Sequence, residues 1–435
     1  MSIRKLLVAN RGEIAVRIFR TCRELGIATV AVVASDDVGS LHARTADESV
    51  EITSYLHSEE HIRAATASGA DAIHPGYGFL AENADFAAAV EAAGPTWVGP
   101  SPEALRLGGD KLAAKRIARE AGVPVLPDGT PEEIGFPLLV KAAAGGGGRG
   151  MRVVRSAAAL EDALAAAGRE AAGAFGDGTL YCERYLERPR HVEVQLLADP
   201  HGTVVAVGER DCSVQRRHQK IIEEAPSPAM PADARERLRD LAIRSVLAAG
   251  YESAGTLEFL LDQDGSFYFI EINCRIQVEH PVTELLTGVD LITEQIRIAA
   301  GERLSLRQET ITIRGHAIEF RINAEDPSDN FSPQTGEIEH LALPGGPGVR
   351  VDTHLYPGYE VPPFYDSLLA KVIVWGEDRD MALARSRRAL GELEIGGIRT
   401  NVPFHRGIID NDAFLGARVS TNLLDRVGPA AFVAG

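Results

Sequence analysis

The chain has 435 residues, 45% of them hydrophobic, enough to bury substantial cores, and its length suggests about three domains. Lys and Arg total 45 against 62 acidic residues, a formal charge of -17, which argues against nucleic acid or an anionic membrane as the main partner. Cys22, Cys182, Cys212 and Cys274 lack paired zinc spacing and no apolar run reaches membrane-spanning length, so reduced thiols and a cytoplasmic location are expected.

From the start, KLLVAN, a helix over EIAVRIFRTCRELG, ATVAVVAS, a helix near HIRAATASG, DAIHPGYG and TWVGP alternate as in a parallel, helix-covered sheet. HPGYGFLAEN places Gly76, Gly78 and Glu82 just after an apolar strand, where open α/β sheets present ligand loops; a plain strand-to-helix turn is the alternative. A helical stretch, SPEALRLGGDKLAAKRIAREAGVP, follows between Pro102 and Pro124, with Lys111 opening a helix. Taken alone, Lys111 reads as a solvated surface lysine.

Residues 137–186 read as strand, Gly-rich turn, strand, an Ala-rich helix opened by Ser156, and the strand TLYCERYL, a small α+β module able to act as a lid. In PLLVKAAAGGGGRGMRVV the glycines 145–148 let backbone N–H groups approach an anion, with Lys141 entering and Arg149 leaving. A strand follows rather than Gly-Lys-Ser/Thr and a helix, so the pattern is a Gly-rich hairpin over phosphates, or a merely flexible hairpin tip, and not a Walker loop. Next come HVEVQLLA, headed by His191, and TVVAVGE. A basic loop, RDCSVQRRHQKIIEEAP, then crowds Arg216, Arg217, His218 and Lys220 into an acidic protein, which suggests an anion nearby or a solvated loop.

After the helix ADARERLRDLAIRSVLAAG, the runs LEFLL and FYFIEI flank Asp264-Gly265, a hairpin-turn signal. With those two residues as the turn, Glu258 faces Glu271 at about 4.5–5.5 Å between Cβ atoms, where two carboxylates repel unless a cation sits between them. An odd loop would break this pairing. Glu271, Asn273, Arg275, Gln277 and Glu279 share one face for as long as the chain stays extended, a line longer than one metal shell. One end suits a metal and the other a substrate. The tail returns to strands (ITIRGHAIEFRINAED, VRVDTHL, AKVIVWG) with a helix over MALARSRRALGEL, and places Ala317, Glu319, Arg321 and Asn323 on one strand face.

Taken together, ANRGEIA, HPGYGFLAEN, GDK, KAAAGGGGRGM, ERDCSVQRRHQKIIEEAP, FIEINCRIQVEHPVTE and RINAED closely resemble biotin carboxylase, the ATP-grasp component of biotin-dependent carboxylases. The resemblance implies an α/β (α+β) fold: an N-terminal Rossmann-like domain over 1–110, an ATP-grasp domain over 111–310 with a mobile lid at about 125–186, and a C-terminal mixed α/β domain over 311–435. By the same resemblance, Lys111, Lys141 and the backbone of Gly147 and Gly148 would hold ATP phosphates. Glu183, Arg184, Tyr185, Leu186, His191, Gln215, His218 and Leu260 would surround adenine and ribose. Glu258, Glu271 and Asn273 would ligate two Mg²⁺ or Mn²⁺ ions. Lys220, Arg275, Gln277, Val278 and Glu279 would bind bicarbonate, with Glu279 as base, and Arg321 with Tyr77 and Gly78 would face biotin.

The implied reaction is ATP-dependent carboxylation of carrier-linked biotin through carboxyphosphate, the first half-reaction of an acetyl-CoA or related acyl-CoA carboxylase. Another ATP-grasp carboxylate ligase is the alternative. Implied partners are a biotin carboxyl carrier protein, a carboxyltransferase and a second copy of the chain. None of Met1, Met151, Met230 and Met381 precedes a lysine, so the biotin acceptor is expected on another chain or segment. The chain departs from the family pattern in a shortened segment between Lys111 and Lys141, in Ala143-Ala144, and in Cys274 where Thr is usual.

Overall fold

A computed structural model describes residues 3–143 and 150–433. The expectations for Gly147, Gly148 and the rest of the glycine run fall outside these described residues.

The first unit is the expected parallel sheet. Its strands Lys5–Val8, Ala28–Ala34, Glu48–Ile52, Ala72–His74 and Thr96–Trp97 lie in the order 3-2-1-4-5. This is doubly wound, and such sheets open a ligand crevice where the order reverses, between the first and fourth strands. The chain uses that point. Asn10, just past the first strand, donates its amide to the carbonyls of Pro75 and Tyr77, both at 2.7 Å. Gly76 has φ +65°, and a Cβ there would stand 2.9 Å from the Asn10 amide nitrogen, so only glycine fits.

The helical stretch after this sheet is two helices, Pro102–Gly109 and Lys111–Glu120, because Asp110 breaks it. The Asp110 carboxylate caps the second helix by accepting from Leu112 N at 3.1 Å and Ala113 N at 3.0 Å. Lys111 is thereby fixed in the first helical turn.

The small module is a four-stranded sheet, Asp128–Gly129, Leu180–Arg184, Leu138–Ala142 and Arg152–Val154 in spatial order. Helix Leu160–Phe175 covers it, closing a separate core around Leu138, Val140, Val154 and Ala167.

The largest element is an antiparallel sheet of eight strands: Phe267–Asn273, Ser253–Leu261, Arg190–Ala198, Val204–Arg216, Gln219–Ala225, His316–Asn323, Leu368–Gly376 and Val349–Thr353. Gln219–Ala225 bonds directly to His316–Asn323, so backbone pairing runs unbroken past residue 310. The stretch expected as a basic loop is part of this sheet. Its only turn residues are Arg217 and His218, with φ +50° and +65°, the left-handed pair that a tight two-residue hairpin turn requires.

The hairpin of Glu258 and Glu271 forms by a route other than the expected one. Its outer half is registered Phe259 to Phe269 and Leu261 to Phe267, which makes the loop odd. A β-bulge between Glu258 and Phe259 then inserts Ile270 on the facing strand and brings Glu258 opposite Glu271. Extended structure ends at Asn273, and residues 274–279 turn into helix His280–Thr287, with Glu279 at its N-cap. The expected straight line from Glu271 to Glu279 is therefore bent.

No helix among the described residues is long and apolar enough to cross a membrane.

Phe259 is fully buried and meets Phe269 edge to face, with ring centroids 6.1 Å apart. Phe259→Ala is expected to cost about 3–5 kcal/mol. A urea-unfolding midpoint measured on both proteins checks this, and a loss under about 1 kcal/mol would show that the ring pair does not hold the hairpin.

Candidate active site

Register places four charged residues in one row across the large sheet. Arg210 lies opposite Glu193, Glu193 opposite Glu258, and Glu258 opposite Glu271. Three carboxylates in neighbouring strands would repel strongly at low dielectric without counter-charge. Arg210, with no exposed side-chain surface, bonds Glu193 at 2.5 Å. Lys220 reaches in from the next strand and lies 2.5 Å from Glu193, 2.7 Å from Glu258 and 2.7 Å from Glu279.

Burial alone would push the Glu258 carboxyl up; Lys220 and His191, the latter 3.0 Å away, more than reverse this and hold it low. Glu279 behaves alike, with Lys220, Arg321 and Arg210 holding it well below the usual carboxylate range. Burial would lower the Lys220 ammonium, but Glu193, Glu258 and Glu279 together keep it well above its ordinary value. His191, lowered by burial, is raised above its usual value by Glu258.

The bend after Asn273 is tied to the N-terminal unit. Glu82, in the loop following the fourth parallel strand, accepts from Cys274 N at 3.2 Å and Arg275 Nε at 3.0 Å. Arg275 also donates to Gln277 Oε1 and Asn273 Oδ1, at 3.2 and 3.3 Å. Gln277 is buried, and its amide nitrogen has no hydrogen-bond partner among the described residues. That leaves a donor beside Arg275, Lys220 and Glu279, which suits a small oxyanion. The Val278 carbonyl accepts from Lys371 Nζ at 3.0 Å. Arg321 closes this end, with Nε 2.6 Å from Glu223 and a terminal nitrogen 2.9 Å from Glu279. Tyr77 donates to Glu13, which also lies 3.1 Å from Lys371, and Gly78 follows with φ +66°.

On the other side of Glu258 a cavity of about 280 Å³ opens between the four-stranded sheet and the large sheet. Leu139, Met151, Leu186, Leu260 and Phe269 give it apolar walls, and Arg184, Tyr185, Gln215 and His218 border it. Lys111, Lys141, Glu183, His191, Glu258 and Glu271 also line it. Lys141 lies 3.0 Å from Glu183, and Lys111 lies 3.5 Å from Glu271. Apolar walls with lysines and carboxylates in one lining suit a nucleotide carrying a metal-bound phosphate chain. Every described residue assigned to ATP lines this cavity.

Glu258, Glu271 and Asn273 fit a hard divalent cation in chemistry, because all three offer oxygen; the Asn273 amide donates to Glu258 at 2.8 Å, and Glu271 is registered opposite Glu258. Two other groups, His191–Glu193–Glu258 and Glu193–Cys212–Glu279, have ligand atoms close enough together for a metal. Lys220 already bonds Glu193, Glu258 and Glu279, which makes those groups the cage of an ammonium.

Sequence reasoning missed several participants. Lys115 bonds Glu183 alongside Lys141, and its spacing of four from Lys111 on one helix was an available signal. Glu193 and Lys371 are charged residues inside apolar strands, HVEVQ and AKVIVWG, which also marks them. Arg210 and Glu223 carried no local signal, since the parts of the two strands that hold them were read as a loop.

Comparison with known proteins gives a consistent picture. The family model for the biotin carboxylase N-terminal domain matches residues 2–105, that for the carbamoyl-phosphate synthase L chain ATP-binding domain 110–307, and that for the biotin carboxylase C-terminal domain 319–426. A biotin carboxylase of Nostoc sp. is 52% identical, covering 98% of this chain and 100% of the relative. A pyruvate carboxylase subunit of Methanothermobacter thermautotrophicus is 50% identical over 97% of this chain and 89% of the relative. Among solved structures, the biotin carboxylase domain dimer of Hydrogenobacter thermophilus 2-oxoglutarate carboxylase, in complex with MgADP, ADP and bicarbonate, superposes with a TM-score of 0.97. It is 46% identical, and the match covers 99% of each chain.

Replacing Lys220 with Met would leave Glu193, Glu258 and Glu279 buried together with one ammonium fewer, at a cost of about 3–5 kcal/mol. The pH dependence should also change sign. In the native protein Glu258 and Glu279 are depressed, so their contribution is present above the unfolded value near 4.3 and is lost as pH falls through the folded values. Without Lys220 burial dominates and raises these carboxyls, so stability should fall as pH rises above about 4.3. Melting temperatures between about pH 4 and 8 distinguish the two, and parallel curves would refute the ammonium's role.

Proposed function

The chain belongs to the biotin carboxylase family, and from that premise we infer how its site works. It is an ADP-forming ligase that carboxylates biotin with ATP and bicarbonate, in the presence of Mg²⁺. One observation carries the residue assignments: Glu258 lines the nucleotide cavity with one side of its carboxylate environment and bonds the Lys220 ammonium with the other. A phosphoryl group held at the cavity is thus adjacent to the Lys220–Arg275–Gln277–Glu279 pocket.

In this reading Lys111 and Lys141 grip the phosphates, together with the backbone of Gly147 and Gly148. Residues 183–186 with His191, Gln215, His218 and Leu260 enclose adenine and ribose, with Leu186 and Leu260 supplying apolar contact. Glu258, Glu271 and Asn273 hold two Mg²⁺ or Mn²⁺ ions, whose chemistry is to neutralise charge spread over the transferred phosphoryl group.

Lys220, Arg275, Gln277 Nε2 and the Val278 backbone receive bicarbonate. Glu279 takes its proton as a bicarbonate oxygen attacks the γ-phosphorus and ADP leaves. A base bonded by two cations is weak, so bicarbonate must first draw Lys220 toward itself, which returns proton affinity to Glu279 at the moment it is needed. Carboxyphosphate then splits to CO₂ and phosphate, and the phosphate takes the ureido N–H proton of biotin. Arg321 stabilises the negative ureido oxygen by a charge-assisted hydrogen bond, with Tyr77 and Gly78 beside the ring. The lid excludes water from the labile intermediate.

We read 1–110, 111–310 and 311–435 as the N-terminal, ATP-grasp and C-terminal domains, with the lid at about 125–186; the matched family ranges and the four-stranded sheet support these limits. A homodimer, a biotinylated carrier protein and a separate carboxyltransferase of the acetyl-CoA or related acyl-CoA type complete the proposed system, in the cytoplasm, where four buried free thiols are at ease. A 2-oxo acid is the second reading for the final acceptor, favoured by the similar identities of the pyruvate and 2-oxoglutarate carboxylase relatives. Co-purification of the transferase with this chain separates the two.

With Mg-ATP and bicarbonate, free biotin should stimulate ADP release; no stimulation would refute the function. Arg321→Ala should lower the biotin-dependent rate by about 10²–10³-fold while leaving the ATP dissociation constant within about threefold. Equal losses in both would contradict the role given to Arg321.

A further inference from the structure

Behind Arg321 the large sheet buries two carboxyls that no step above uses. Glu223, on Gln219–Ala225, is registered directly opposite Glu319, on His316–Asn323. Facing positions hold their Cβ atoms about 4.5–5.5 Å apart. Both residues are 0% exposed. Glu223 gives one oxygen to Arg321 Nε at 2.6 Å. Its other oxygen and both oxygens of Glu319 have no hydrogen-bond partner among the described residues. Two ionised carboxylates in this arrangement would repel each other and leave three bare oxygens without solvent. A single proton removes both penalties, because a protonated carboxyl donates to its ionised neighbour.

The surrounding charges do not supply another solution. Lys371, on the strand next to Glu319, is engaged by Glu13 and the Val278 carbonyl. Lys220 is held by Glu193, Glu258 and Glu279, and Arg210 by Glu193. His280, on the helix packed over these strands, is kept neutral by burial and by Lys371. Cys212, also buried, is held as a thiol by burial and by Glu193. On the opposite face, His316 and Arg379 are taken up by Glu224, and His405 bonds the Arg321 carbonyl. Burial pushes Glu223 up to about 7 despite Arg321, and burial likewise pushes Glu319 well above the usual carboxylate range, despite Lys371.

We propose that Glu223 and Glu319 share one proton and act together as positioning residues for Arg321, an inference that rests on the role given to Arg321 above. With the proton in place the pair carries one negative charge, and the guanidinium stays balanced between Glu223 and Glu279, facing the reaction centre. Without it two negative charges lie behind Nε and draw the guanidinium away from Glu279 and the ureido oxygen. The proton is held below the raised values and lost as pH climbs through them, so the effect falls on the alkaline side of the biotin-dependent rate.

The test is the pH profile of kcat/KM for biotin, read as biotin-dependent ADP release at saturating Mg-ATP and bicarbonate. Glu319→Gln carries a neutral hydrogen-bond donor at every pH, and its alkaline limb is expected to move up by about one pH unit or more. Glu223→Gln, which removes the charged acceptor of Arg321 Nε, is expected to lower kcat/KM for biotin by about tenfold or more while the KM for ATP stays within about threefold. An alkaline limb of Glu319→Gln that superimposes on the native one overturns the proposal. If that variant does not fold, the infrared spectrum of the native protein decides: a protonated-carboxyl stretch that titrates along the alkaline limb supports the shared proton, and its absence overturns it. A native protein without biotin-stimulated ADP release refutes the function instead, and the same infrared titration then judges the pair alone.

Discussion

The site depends on burying one ammonium among three carboxylates. Register across the large sheet forces Glu193 and Glu258 side by side, and the start of helix His280–Thr287 brings Glu279 to the same point. None of the three carboxylates is more than slightly exposed, so mutual repulsion would be strong if Lys220 did not meet all of them within 2.7 Å. A buried ion cluster of this kind adds little net stability over apolar packing of equal volume, because desolvation offsets most of the attraction. Its effect is to fix positions: each carboxylate can stay ionised only where Lys220 or Arg210 reaches it, and the pocket beside Arg275 and Gln277 is built around that geometry.

Other parts of the molecule serve to hold this cluster in register. The β-bulge between Glu258 and Phe259 corrects the odd loop of the hairpin and turns Glu271 to the face of Glu258. Glu82 anchors the bend at Cys274 and Arg275, so the N-terminal unit decides where Arg275 points. Lys371, Glu13 and Tyr77 join a C-terminal strand, the first helix and the switch-point loop of the parallel sheet in one buried chain that ends on the Val278 carbonyl. Three stretches far apart in sequence therefore converge on a few ångströms of backbone between Asn273 and Glu279.

Within this frame the environment drives like groups apart. Glu279, bonded by Lys220 and Arg321, is held well below the carboxylate range, whereas burial lifts Glu223 toward neutrality despite Arg321. Carboxylates of one residue type are thus available as an ionised acceptor and as a proton store, separated by one guanidinium.

The sequence by itself determined the kinds of element and most of the chemistry. Apolar alternation gave the parallel sheet and the small four-stranded module their strands and helix, and the charged face of the hairpin marked Glu258 and Glu271. The described residues that the ordered motifs assigned to ATP all fall in the lining of one cavity, but Leu139, Met151 and Phe269 in its walls were not among them. Tertiary structure decided how the pairing came about. Hairpin register depends on loop length, and a bulge changes it without leaving a pattern in composition. It also decided the company of each charge: RDCSVQRRHQK read as a loop beside an anion or in solvent, whereas its Arg210 and Lys220 are countered by Glu193, Glu258 and Glu279, which come from distant parts of the chain. The neighbours of Arg210, Glu223 and Lys371 were equally out of reach, since local sequence records which groups are charged but long-range strand pairing selects the partners that make their burial tolerable.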